Sequence, residues 1–180
     1  AQQRTPFPGI GAFYRALHAG ATGDESNPVI YVSRAPWSIY PVLEAFLQLH
    51  DFPRLPVLQL REWGITWRHP FPRRARSHKT GLLEQVFQNC PEHRLLLIGD
   101  SGQRDPELYE EFARRYPDRI DGIYLRDVST GAGRTRGLEA LKASLAESGI
   151  PVVISGETNE MASDAATRGP PISRSPCPTP

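Results

Sequence analysis

Residues 94–112 read RLLLIGDSGQRDPELYEEF. The apolar run Leu95-Leu96-Leu97-Ile98 is short, and it suits a parallel strand buried on both faces. Gly99 lets the backbone turn sharply as it leaves that strand. Pro106 then opens a predicted helix that carries Leu108, Tyr109 and Phe112 at helical spacing. A strand followed by an acidic turn and a helix is the repeating unit of an open α/β sheet, in which ligands bind outside the carboxyl ends of the strands.

The same alternation extends in both directions. Downstream, Ile120 to Leu125 is predicted as a strand, Gly137 to Ser148 as a helix and Pro151 to Ile154 as a last strand. Upstream, Ser77 is placed as the cap of a helix that turns Leu82, Leu83, Val86 and Phe87 inward. Val57 to Leu60 is a weaker strand, and 63–77 shows neither period and is read as a long loop. Pro28 to Val32 is a β-branched strand, after which Ser38 caps a helix bearing Ile39, Val42, Leu43, Phe46 and Leu47. Ile10, Phe13, Tyr14 and Leu17 form an opening helix that stops at Gly20. The fold class is therefore α/β with a doubly wound parallel sheet. Such folds normally begin with a strand, so an opening helix and an Ala1 start lead to the expectation of a first strand upstream.

Composition narrows the function classes. Lys plus Arg number 21 against 20 Asp plus Glu, so a net charge of +1 excludes strong global attraction to nucleic acid or to an anionic membrane, and any electrostatic specialisation must be local. No apolar run approaches the roughly 18 residues that span a bilayer. Cys90 and Cys177 stand far apart, which indicates neither a disulfide framework nor a zinc site, and Cys90 reads as a core or surface thiol. The expectation is a cytoplasmic protein of a reducing compartment, peripheral at membranes if it meets them at all. Residues 1–167 are read as one domain, and 168–180, which hold five of the 18 prolines, as a disordered tail.

The strand-end rule singles out three places: Ser33-Arg34-Ala35-Pro36-Trp37, the loop Gly99 to Pro106, and Arg126-Asp127. Asp100 and Asp105 can hold a hard cation such as Mg²⁺ through a carboxylate and several waters. Equally, Asp100 can cap a turn and Asp105 the helix that follows. Ser33 either presents its hydroxyl and N–H to an oxyanion or closes the strand as a turn residue. Between Glu62 and Glu84 there is no acid, while Arg68, Arg73, Arg74, Arg76 and Lys79 supply five positive charges beside His69 and His78. That run suits a phosphate-bearing substrate or an anionic headgroup, or it is a solvated basic loop. Lys79 opens a predicted helix, where a cation opposes the macrodipole and wants a separate reason to be there.

Ser33, Lys79 and the Asp100 to Asp105 loop, in that chain order, resemble the sites of haloacid dehalogenase superfamily phosphatases. More narrowly, the sequence resembles the catalytic domain of the actin-patch-associated phosphatidate phosphatases. The stretches that carry this are PFPGIGAFYRALH (6–18), NPVIYVSRAPWSIYPVLEAFLQLHDFP (27–53), LREWG (60–64), HKTGLLEQVF (78–87), LLLIGDSGQRDPELYEEFARRYPDRI (95–120) and IYLRDVS (123–129). The resemblance implies a Rossmann-type fold and a Mg²⁺-dependent phosphohydrolase working through an aspartyl-phosphate, with phosphatidate converted to diacylglycerol. It implies that Ser33 and Lys79 bind phosphate and serve catalysis and that Asp100 and Asp105 serve Mg²⁺; Arg34, beside Ser33, is placed with the phosphate-binding residues as this chain's own feature.

Two departures stand out. The family's nucleophile and general acid are aspartates of a DxDxT motif on a strand before the PFPG segment, and residues 1–26 contain no such motif. Arg34 replaces the small residue usual beside the serine. The resemblance makes the strand bearing that motif central, so an apolar slot is expected between the strands ending at Val32 and Ile98. The alternatives carried forward are a non-catalytic phosphate- or anionic-lipid-binding remnant and a phosphatase for a soluble phosphate ester.

Overall fold

The computed structural model describes residues 5–20, 23, 27–53, 57–61, 75–129 and 131–169, with backbone alone for Arg34, 57–61 and 75–78. In chain order the elements are α1 (Ile10–Ala19), β1 (Ile30–Pro36), α2 (Tyr40–Leu49), β2 (Val57–Arg61), α3 (Ala75–Asn89), β3 (Leu95–Asp100), α4 (Asp105–Arg115), β4 (Ile120–Arg126), α5 (Ala132–Ala146), β5 (Val152–Ser155) and α6 (Thr158–Arg168). Short 3₁₀ turns at Trp37–Ile39 and Pro117–Arg119 precede α2 and β4.

Every strand pairing is parallel, as helical crossovers require. Side chains alternate between the two faces of β3, β4 and β5. Leu97, Ile123, Leu125 and Val152 pack with α3, α4 and α5 in one core. Leu96, Ile98, Tyr124 and Val153 face the second core, built with Phe13 and Leu17 of α1 and Met161 and Ala165 of α6. Helices thus flank a three-stranded parallel sheet, as the α/β class read from the sequence requires.

The sheet is in two pieces. β1 pairs with β2, β3 with β4 and β4 with β5, and no ladder joins β1 to β3. Between them lies a cavity of about 580 Å³ lined by Ile30 to Ser33 of β1 and by the whole of β3. This is the position of the expected slot. It explains why β3, whose run reads as the most deeply buried strand, buries only Leu97 fully, since one edge faces open space.

The carboxyl ends of both pieces meet at one edge of the molecule. Lys79, early in the helix that follows β2, bonds Asp105, which lies just beyond β3. At the far end of α3, Arg119 donates to the carbonyls of Cys90 (2.7 Å) and Phe87 (3.4 Å) just before β4 begins.

Several boundaries differ from the sequence reading. β1 runs on to Pro36, which pairs opposite Arg61 after a register shift that begins past Val32, so Ser33 lies in the irregular part of the strand rather than after it. Ser38 consequently falls inside the 3₁₀ turn and makes no capping bond, although Pro41 does sit in the first turn of α2. Helix α3 begins at Ala75, two residues before Ser77, since alanine and arginine extend a helix readily. Helix α5 begins at Ala132, five residues before Gly137. Its first turn is tied down by Arg134, which donates to the Ser101 carbonyl (2.7 Å) and pairs with Glu107. Helix α6 is absent from the sequence reading, because Met161 is the one large apolar residue it buries. Cys90 is buried and disulfide-bonded, where the sequence suggested a core or surface thiol.

Candidate active site

Three chain segments meet at the carboxyl edge of the cavity. β1 brings Ser33, α3 brings Lys79, and the end of β3 with the start of α4 brings Asp100 and Asp105; all four side chains line the same space. The sequence nominated each of them separately, and the fold brings them together. Arg34 lies on β1 with its side chain outside the described residues. The basic stretch from Arg68 to Arg74, His69 included, is likewise outside them, and of Arg76 and His78 only the backbone is described.

Asp105 is buried and forms an ion pair with Lys79, whose ammonium stands 5.9 Å from the centroid of the Tyr109 ring. Helix α4 is capped from Arg104 without a side-chain bond, so Asp105 does not serve as the cap considered from the sequence. Lys79 sits in the second turn of α3 rather than opening it, where the macrodipole is largely spent. Its reason for being there is Asp105. Asp100 does close a turn, accepting from the Gln103 backbone N–H at 3.0 Å and facing the Gln103 amide at 3.4 Å. Ser33 accepts from the Ala35 N–H at 3.1 Å, which leaves its own hydroxyl proton free to be donated into the cavity.

Burial sets the protonation of the phenols around this edge. It pushes Tyr14 up to about 12, with the nearby Asp105 charge adding to the effect. Tyr109 rises well above its ordinary value for the same two reasons, and donates to the Ile98 carbonyl at 2.7 Å. Both phenols are therefore neutral donors across the physiological range. Tyr31 stacks on Tyr14 with centroids 5.7 Å apart, and its buried hydroxyl meets no hydrogen-bond partner among the described residues.

The third strand end divides its labour. Asp127 accepts from Ser101 Oγ (2.7 Å), Ser129 Oγ (2.6 Å) and the Ser129 N–H (3.0 Å). These bonds, those from Ser129 foremost, hold its carboxyl below the usual range and fasten the loop after β3 to the loop after β4. Arg126 turns the other way and lines the cavity. The sequence reading noted Arg126 only as part of a strand-end dipeptide; the signal was a charge closing an otherwise apolar run, IYLR.

Gly99 fits between these groups because it has no side chain. A Cβ there would lie 2.6 Å from Asp105 Oδ2 and 2.9 Å from Tyr109 Cε2. Gly99→Ala is expected to displace Asp105 from Lys79 and cost about 1–3 kcal/mol, the usual range for overpacking. Urea denaturation measures the loss, and an unchanged midpoint would show that Asp105 can move without penalty.

As for metal, no cluster of three or more His, Cys, Asp or Glu side chains forms among the described residues. The donors present nevertheless fit Mg²⁺. That ion keeps several waters and is usually bound through one or two carboxylates plus substrate phosphate, and Asp100 and Asp105, which both line the cavity, would supply them.

Over 100 residues the chain is 31% identical to an uncharacterized protein of Schizosaccharomyces pombe, covering 56% of this chain and 16% of that protein. Over 118 residues it is 26% identical to phosphatidate phosphatase APP1 of Saccharomyces cerevisiae, covering 66% of this chain and 19% of that one. The aligned stretches thus span less than a fifth of these relatives' lengths. No solved structure matches. The family described as the catalytic domain of phosphatidate phosphatase APP1 matches residues 1–127, and the chain belongs to that family.

Proposed function

We propose that the carboxyl edge of the cavity is the phosphate-handling end of a Mg²⁺-dependent phosphohydrolase site of the haloacid dehalogenase type. The substrate is phosphatidate, and the overall reaction adds water to release diacylglycerol and inorganic phosphate. The observation that carries this reading is the convergence of Ser33, Lys79, Asp100 and Asp105 from three separate segments on one cavity. Phosphoryl transfer depends mainly on positioning and charge compensation, and these four side chains supply both. Ser33 donates its hydroxyl to a non-bridging oxygen, with Arg34 beside it on the strand. Lys79, fixed by Asp105, offsets charge on the phosphoryl group. Asp100 would hold Mg²⁺, which supplies Lewis-acid stabilisation of the phosphoryl oxygens when bound. No helix among the described residues is long and apolar enough to cross a membrane, so a lipid substrate would be met at the bilayer surface.

A second reading has its own observation. The carboxylates lining the cavity among the described residues are Asp100 and Asp105, one closing a turn and the other paired with Lys79. Neither is placed as a nucleophile, so residues 1–180 alone are expected to bind phosphate without turning it over. Calorimetric titration of the chain with Mg²⁺ and inorganic phosphate, beside a phosphate-ester hydrolysis assay, tests both readings. Phosphate binding that strengthens with Mg²⁺ and weakens in Asp100→Asn supports the site. Mg²⁺-dependent turnover by the chain itself would overturn the second reading, and no phosphate binding at all would overturn the first.

A further inference from the structure

Arg126 is 8% exposed, at the carboxyl end of β4, and it stands opposite Asp100 in the register of β3 and β4. Its guanidinium carbon lies 4.1 Å from the centroid of the Phe7 ring, and Nη1 donates to Thr158 Oγ1 at 3.1 Å. It forms no ion pair among the described residues. Asp127, next in the chain, spends its carboxylate on Ser101 and Ser129 instead. A guanidinium carries five N–H donors in a fixed fork that matches a carboxylate or phosphate. Here one donor meets a neutral hydroxyl, one face lies against an aromatic ring, and the group borders the cavity that also receives Ser33, Lys79 and Asp100. Burying a charge without an opposite charge is costly, and a site that tolerates this is complementary to an anion.

Lys79 differs in this respect. Its charge is already balanced by Asp105, so an entering phosphoryl group meets in Lys79 one half of an ion pair. From this difference we infer that Arg126 is the principal oxyanion-binding residue of the cavity, gripping two phosphoryl oxygens of a phosphate monoester through its fork. Lys79 then acts chiefly as the partner that fixes Asp105. Phe7 and Thr158 hold the guanidinium plane, which gives the PFPG segment a role in aiming it. Gly9 of that segment packs beside Thr158, where a Cβ would lie 3.7 Å from the threonine side chain. The inference rests on the phosphohydrolase reading for its substrate class, but its residue assignment is tested separately.

The test is titration of the folded chain with inorganic phosphate, followed by calorimetry and by ¹⁵N resonances of the arginine side chains. Arg126→Gln is expected to weaken phosphate binding at least about ten-fold, the typical worth of a charge-assisted bond pair. Arg126→Lys should give an intermediate affinity, because it keeps the charge and loses the fork. If Arg126→Gln does not fold, the wild-type resonance of the Arg126 Nη groups decides, and a shift on adding phosphate supports the assignment. A purely structural role would lower the melting temperature of the variants without changing phosphate affinity, and would overturn the proposal. If Arg126→Gln binds as wild type does while Lys79→Ala loses phosphate, the Arg126 assignment fails and the phosphohydrolase reading stands. If Arg126→Gln abolishes binding while Mg²⁺ and Asp100→Asn have no influence on it, the oxyanion site stands and the Mg²⁺-dependent reading fails.

Discussion

Replacing Asp105 by alanine is expected to lower stability by about 3–5 kcal/mol, the range for breaking a buried pair by removing one partner. The Asp105 and Lys79 side chains are 8% and 16% exposed, so the variant strands an ammonium in a setting with little water to solvate it. The same substitution opens space over Gly99, against which the carboxylate packs. Adding Lys79→Met removes the stranded charge at similar volume and should recover most of the loss. A double-mutant cycle by urea denaturation measures both steps. A loss under about 1 kcal/mol for Asp105→Ala, with no recovery in the double variant, would show that solvent reaches the pair and that it does not fix the geometry of the site.

Phe112→Ala is expected to cost about 3–5 kcal/mol through lost burial and the cavity left behind. Phe112 is 1% exposed at the centre of the core formed by α3, α4, α5 and the sheet, with ring centroids of Phe87 and Tyr116 at 5.3 Å and 5.9 Å. Against a total stability of about 5–15 kcal/mol, that loss consumes a large fraction of what holds the chain folded. Leu49→Ala supplies the contrast, since Leu49 is 76% exposed and its truncation should stay within about 0.5 kcal/mol. Equal losses from the two variants by chemical denaturation would contradict the placement of this core.

The sequence was most readable where large apolar side chains repeat. Leu95 to Ile98, Ile120 to Leu125 and the Leu108–Tyr109–Phe112 stripe all appear as the elements their spacing predicts. Boundaries shifted where a local preference was outweighed. Ser33 to Pro36 look like turn residues, yet they form the irregular end of β1, where the register shifts between Val32 and Pro36 before pairing resumes opposite Arg61. Gly133 and Gly137 look like breakers, yet Leu138, Leu141 and Leu145 bury that face and hold the helix across both glycines. At the site, Ser33, Lys79, Asp100 and Asp105 were legible as polar residues at strand ends and at a helix start. What the sequence left hidden was their pairing. Asp105 with Lys79 joins residues 26 apart, and the orientation of Arg126 depends on Phe7 and Thr158, at opposite ends of the chain.

The break between β1 and β3 also partitions cooperativity. In an unbroken sheet, each strand's ladder transmits the ordering of one edge to the other. Among the described residues no backbone ladder crosses from one piece to the other, and the links between them are made by side chains. Those links are α3 packing beside both pieces, the Lys79–Asp105 pair, and the aromatic stack in which Tyr14 of α1 meets Tyr31 and Phe52. The piece holding β3, β4 and β5 owns the large core, and among the described residues the cluster against β1 gathers around Leu47. The two pieces of sheet are thus joined without a continuous ladder, and the cavity lies at the seam between them. Anything that bridges the gap, whether a bound anion spanning Ser33 and Arg126 or a backbone laid between the strands, would fuse two folding units into one.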